Sequence, residues 1–170
     1  MYGPHTIKAL ITVKAGVLVP SFGMGMPAEE RLGLDIKRAE QELIAAKQIA
    51  VRPAGLTVPQ YATLYVLAAN PGISAAALAR ACLVTPQAMT VVLKNLDARG
   101  LVERTPHPWH RNVLETQLTD AGRIALESAD ERAVRIEQAI ADELTTEERI
   151  TLRSLLSRCG AAIERASSQL

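Results

Sequence analysis

Aromatic residues are scarce: Trp109, Phe22, Tyr2, Tyr61 and Tyr65 make up 3% of the 170 residues. Sheet-on-sheet cores lean on aromatic and β-branched side chains, so this core falls to Ala, Leu, Ile and Val, which suits helices. Cysteine is nearly absent. Cys82 and Cys159 supply neither a disulfide framework nor a zinc site and read as two small hydrophobes. No apolar run reaches the ~18 residues of a membrane-spanning helix. The nearest, Ile7 to Val19, contains Lys8 and Lys14. It lacks a clear basic start and a small-residue cleavage site, so neither a span nor a signal peptide is expected and the cytosol is the default. A dominant charge is also missing, with 19 basic residues against 18 acidic ones. Global charge therefore does not mark a nucleic-acid binder. The chain holds no nucleophile elbow, phosphate loop or Gly-rich dinucleotide turn. His5, His107 and His110 do not combine with the cysteines at ligand spacing. We expect no enzyme, no cofactor and no metal.

What is present is 48% hydrophobic residues, ordinary for a globular domain, largely at helical period. Residues 1–27 stand apart as an arm, punctuated by Pro4, Pro20, Pro27, Gly23 and Gly25. The stretch ITVKAGVLV pairs as a short strand, or the arm is unstructured, or translation starts at Met24 or Met26. The composition does not choose among these. Residues 28–170 read as one domain. Its core spans about 54–120, with flanking helices over about 28–52 and 121–170.

Over 28–51, Leu32, Ile36, Leu43 and Ile49 recur near helical spacing, and the helix is expected to end at Arg52-Pro53 because the residue before proline leaves the α region. Thr57-Val-Pro-Gln60 is a capping box that starts a helix to about Ala69. Ser74 caps a short helix through Ala81. Thr85-Pro86 starts another that runs to Arg99, with Gly100 as its stop. The period then changes. Residues 101–105 and 112–118 read as two strands around the loop Pro106-His-Pro-Trp-His-Arg111. Thr119-Asp120 caps a long helix to about Leu144. A second capping box, Thr145 to Glu148, starts the last helix, which places Ile150, Leu152, Leu155, Leu156, Cys159 and Ile163 on one face.

Ser74 to Arg99 is thus two helices joined by a short turn, a helix-turn-helix, and the hairpin after it makes a winged helix. Met89, Val92, Leu93 and Leu96 bury the second helix, which leaves Thr85, Gln87, Ala88, Thr90, Val91, Lys94 and Asn95 outward. A recognition helix offers such residues to DNA. Gln87 suits adenine edges, Ala88 and Val91 suit thymine methyls, Thr85 and Thr90 are donors to phosphate, and Lys94 is a phosphate partner. Arg111 at the wing tip suits the minor groove. The competing readings are a helical hairpin that only packs and a tip that is a solvated loop.

The ordered stretches LARACLVTPQAMT, LDARGLVER and LTDAG resemble the MarR-type transcriptional regulators. With the flanking helices the resemblance covers about 140 of the 170 residues and leaves out the arm. It implies a mainly α fold with a small β-hairpin wing, in which a winged helix-turn-helix is flanked by N- and C-terminal dimerisation helices. It also implies a homodimer on double-stranded DNA, at a pseudo-palindromic operator, with release by a small, often phenolic, effector. By position it puts Thr85, Gln87, Ala88, Thr90, Lys94 and Asn95 on the recognition surface and Arg111 in the wing. The acidic residue that anchors the family's wing arginine is replaced here by Trp109 and His110, and Val91 stands where relatives are often basic. Peroxide-sensing relatives carry a cysteine near the first helix, and this chain has none there.

The homodimer follows from the pattern too, because the first and last helices carry apolar faces too large for the winged core to cover. The effector pocket is expected to be aliphatic, with Tyr61 and Tyr65 as its polar-tipped members. A winged-helix protein–protein adaptor and a thiol-based redox sensor are the alternatives. The neutral total hides an asymmetry: residues 80–123 carry +2 and residues 124–170 carry −3.

Overall fold

The computed structural model describes residues 26, 27, 30–106 and 114–170. The helices are α1 (Gly33–Val51), α2 (Val58–Ala69), α3 (Ala75–Ala81), α4 (Pro86–Ala98), α5 (Asp120–Asp142) and α6 (Thr146–Ser167), and the strands are β1 (Val102–Pro106) and β2 (Leu114–Leu118). The chain forms two compact units, Met1–Ala39 and Glu40–Leu170.

In the first unit, helix α1 starts at Gly33, five residues later than the apolar spacing over 28–51 predicts. The Glu30 N–H is taken by the Pro27 carbonyl at 3.1 Å, which closes a tight turn, and the α ladder takes over with Ile36 N–H on the Leu32 carbonyl at 3.0 Å. The far end of α1 also differs from expectation. Instead of leaving the helical region before Pro53, the chain tightens into a 3₁₀ turn over Arg52–Ala54. Proline is tolerated there because its missing N–H lies in a first turn.

The other helix starts follow the polar signals. Thr57, Ser74, Thr85, Thr119 and Thr145 each accept a backbone N–H three residues on, and Thr57 and Thr145 have their Gln60 and Glu148 partners in full capping boxes. Each such cap contributes about 1 kcal/mol.

Three helical ends close by one motif. A residue in the left-handed region returns its N–H to the carbonyl three back, and the next N–H reaches the carbonyl five back. Gly55 N–H meets Arg52 and Leu56 N–H meets Val51. Leu83 N–H meets Arg80 and Val84 N–H meets Ala79. Gly100 N–H meets Asp97 and Leu101 N–H meets Leu96. The φ values are +71°, +55° and +65°. After the middle one the chain direction swings by 108° from α3 to α4, within the range of a helix-turn-helix.

β1 and β2 are antiparallel, from Val102↔Leu118 to Pro106↔Leu114. β1 starts one residue later than the sequence reading, and Asn112 and Val113, expected to open the second strand, lie outside the described residues. A bridge between Ser74 and Glu115 adds the lead-in to α3 as a third segment. The joint from wing to α5 is tight. Thr119 Oγ1 donates to the Gly100 carbonyl at 2.7 Å and accepts from Gly122 N at 3.0 Å. A Cβ on Gly122 would lie 1.9 Å from the Leu101 oxygen, so only glycine fits where this helix meets the strand.

Leu64 and Leu67 of α2, Leu78 of α3, Met89, Leu93 and Leu96 of α4, Leu101 and Val102 at the wing base, and Leu126, Ala129 and Ala133 of α5 form one buried cluster. No single helix among the described residues is long and apolar enough to cross a membrane. The apolar face expected on α6 is there, but α6 buries none of its residues, and Ile150, Leu152, Leu155, Leu156 and Ile163 all stand exposed.

Candidate nucleic-acid interface and cleft

Helix α4 forms because Thr85 caps it, Pro86 occupies its first turn, and the residues after it hold apolar spacing. That spacing fixes its orientation. Met89, Leu93 and Leu96 are buried and Val92 packs against the cluster. Thr85, Gln87, Ala88, Thr90, Val91, Lys94 and Asn95 are all exposed, on the face the sequence reading assigns to DNA.

Their hydrogen bonds refine the expected roles. Thr85 Oγ1 accepts from Ala88 N at 3.1 Å, so its proton stays available. Thr90 differs: its hydroxyl donates to the Pro86 carbonyl at 2.9 Å. That proton is committed to the helix, which disfavours the phosphate-donor role expected of Thr90. Asn95 commits one amide proton to the Val91 carbonyl at 3.0 Å and keeps the other, with its oxygen. Arg99, at the end of α4, is turned to a structural task, donating to the Gly55 carbonyl at 3.0 Å. Arg111, with Trp109 and the two tip histidines, lies outside the described residues.

Behind this face, a cleft of about 410 Å³ opens between α2, the end of α3 and α5, with Lys47 of α1 at its edge. Tyr61 and Tyr65 both line it, as expected, with ring centroids 6.1 Å apart. The Tyr61 hydroxyl donates to Asp130 Oδ1 at 2.5 Å. Burial first, and then the bond to Asp130 and its charge, push this phenol further above its ordinary range. It is therefore a protonated donor throughout the physiological range. Lys47 pairs with Glu137, which links α1 to α5. Cys82 lines the same cleft, and burial raises its thiol above the ordinary value despite an opposing bond from Thr63. A thiol raised in this way is a poor nucleophile, so nothing here favours redox sensing by Cys82.

The sequence reading missed Lys47, Asp130, Glu137 and Leu83 in the cleft. Lys47 and Glu137 sit among other charges on amphipathic helices, and Asp130 is 69 residues from its tyrosine partner, so no local pattern singles them out.

The sequence pattern of the MarR family matches residues 54–111. Over 139 residues the chain is 34% identical to the HTH-type transcriptional repressor Rv2887 of Mycobacterium tuberculosis, covering 81% of this chain and 99% of that protein. It is similar in structure to the transcriptional repressor CouR bound to a 23-mer DNA duplex, with a TM-score of 0.70, 32% identity, and coverage of 78% of this chain and 94% of that one. The Rv2887 complex with p-aminosalicylic acid aligns with a TM-score of 0.59 and 32% identity, over 76% of this chain and 98% of that one. Winged-helix geometry, a polar exposed face on α4 and these likenesses agree, and the chain belongs to the MarR family.

Proposed function

We propose that the chain is a ligand-responsive transcriptional repressor. It binds a pseudo-palindromic operator as a homodimer and releases it when a small aromatic molecule fills the cleft. The observation that carries this reading is the division of α4: Met89, Leu93 and Leu96 are buried on one side, and Thr85, Gln87, Ala88, Thr90, Val91, Lys94 and Asn95 share the exposed face. Gln87 and Lys94, whose side chains make no hydrogen bond or ion pair among the described residues, are the base-edge and phosphate contacts respectively. Arg111 serves the minor groove. The acidic C-terminal helices face away from the duplex. The protein acts in the cytoplasm, and we assign it no catalytic step.

Three features support the dimer. The apolar face of α6 is uncovered, Ile124, Val134 and Ile140 of α5 are exposed, and the resemblance to the MarR family implies a homodimer. Two-fold symmetry sets recognition helices about 34 Å apart, one DNA turn. Tyr61, Tyr65 and Lys47 make the cleft suited to an aromatic ring with an acidic or phenolic group, in line with the salicylate-type ligand of Rv2887.

A gel shift with the DNA upstream of the chain's own gene tests the reading at physiological salt. A sequence-specific complex that salicylate dissolves is expected. Absence of any sequence-specific complex would leave the adaptor reading instead.

A further inference from the structure

Of the three helical ends that close through the left-handed region, two place glycine there and the third places Leu83, with φ +55°. Leu83 is the single non-glycine residue with positive φ among the described residues. A Cβ in that region meets steric resistance that glycine escapes. The leucine gains nothing for it within the chain, because its side chain is 93% exposed. It does border the cleft, together with Tyr61, Tyr65 and Cys82. It also sits in the turn that sets the 108° swing between α3 and α4. Strain retained at one such site, when two equivalent sites avoid it, points to a use for the side chain outside the monomer's own packing.

We propose that Leu83 is the reading head's contact with the small molecule in the cleft. Its side chain covers the apolar ring face of an aromatic ligand, while Lys47, Asp130 and the Tyr61 hydroxyl address the ligand's polar groups. Two residues further on, Thr85 caps α4, so occupancy at Leu83 reaches the recognition helix through the turn itself. This rests on the cleft being the effector site, as proposed above.

The test uses the full-length protein and two variants that keep the turn, Leu83→Gly and Leu83→Asn, since both residues accept the left-handed region. Salicylate and 1-anilinonaphthalene-8-sulfonate binding are measured by calorimetry, and operator binding is measured without ligand. Both variants are expected to melt cooperatively and to hold DNA as the wild type does. Both are expected to bind the two probes roughly tenfold more weakly, the loss that follows from removing one leucine side chain from an apolar contact. Probe affinity equal to wild type in both variants would overturn the proposal, and so would loss of DNA binding with probe affinity intact. Loss of a cooperative melt in both would show a structural role and overturn it too. If the wild type itself binds neither probe, the effector reading of the cleft fails and this proposal falls with it, while the DNA-binding reading stands on the gel shift.

Discussion

Helices α4 and α6 both carry apolar residues at helical spacing, yet α4 buries Met89, Leu93 and Leu96 and α6 buries none. The difference is one of available partners. α4 lies against α2, α3 and the wing base, which close over its apolar face within one chain. α6 leaves Leu152, Leu155, Leu156 and Ile163 in solvent, a contiguous exposure that monomeric proteins seldom keep. The reading head closes its apolar core within one copy, whereas in the proposed homodimer the terminal helix takes its cover from a second copy. The charges run the other way, with a mildly basic segment around α4 and an acidic one over α5 and α6.

This contrast can be broken at either end. The largest effect is expected from Leu155→Glu combined with Leu156→Glu. Sedimentation should show a monomer whose winged core still melts cooperatively. Its operator affinity should drop on the order of 100-fold, because the two heads no longer bind as one unit. Next comes Gly122→Ala, which forces a methyl into the Leu101 carbonyl. Urea unfolding should register a loss of about 3 kcal/mol, at the upper end of overpacking effects. Tyr61→Phe removes the bond to Asp130 and should cost about 1 kcal/mol near neutral pH.

The same tyrosine gives an alkaline signature. Its phenol is raised in the folded state, so the folded protein holds that proton more tightly than the unfolded chain. The stabilisation is complete below the unfolded value near 10 and is lost as pH rises beyond it. Wild-type stability should therefore fall more steeply above that pH than stability of the phenylalanine variant. The smallest effect is Lys94→Ala, which should reduce the slope of log affinity against log salt by about 1 and weaken all sequences alike. An unchanged slope would remove Lys94 from the phosphate contacts.

Much of this architecture was legible because its signals are local. A threonine followed three residues later by its partner marks a helix start wherever it occurs, and Thr57, Thr85, Thr119 and Thr145 all cap as read. The exposed face of α4 follows from period alone. The start of α1 is not legible from period alone, since the apolar spacing continues upstream while the Pro27 carbonyl captures the Glu30 N–H. The cleft was only partly legible. Two aromatic residues in a chain that has few are conspicuous, but Lys47, Asp130 and Glu137 meet them only after three helices pack. Leu83 gave no signal at all, because nothing in a leucine announces a left-handed turn.

The most direct measurement is a hydroxyl-radical footprint of the wild-type protein on DNA selected from a random pool. Two heads built on α4 and joined through the terminal helices should protect two zones on one face of the duplex, with centres about 34 Å apart. A single short protected zone, unchanged in the Leu155→Glu, Leu156→Glu variant, would contradict the account.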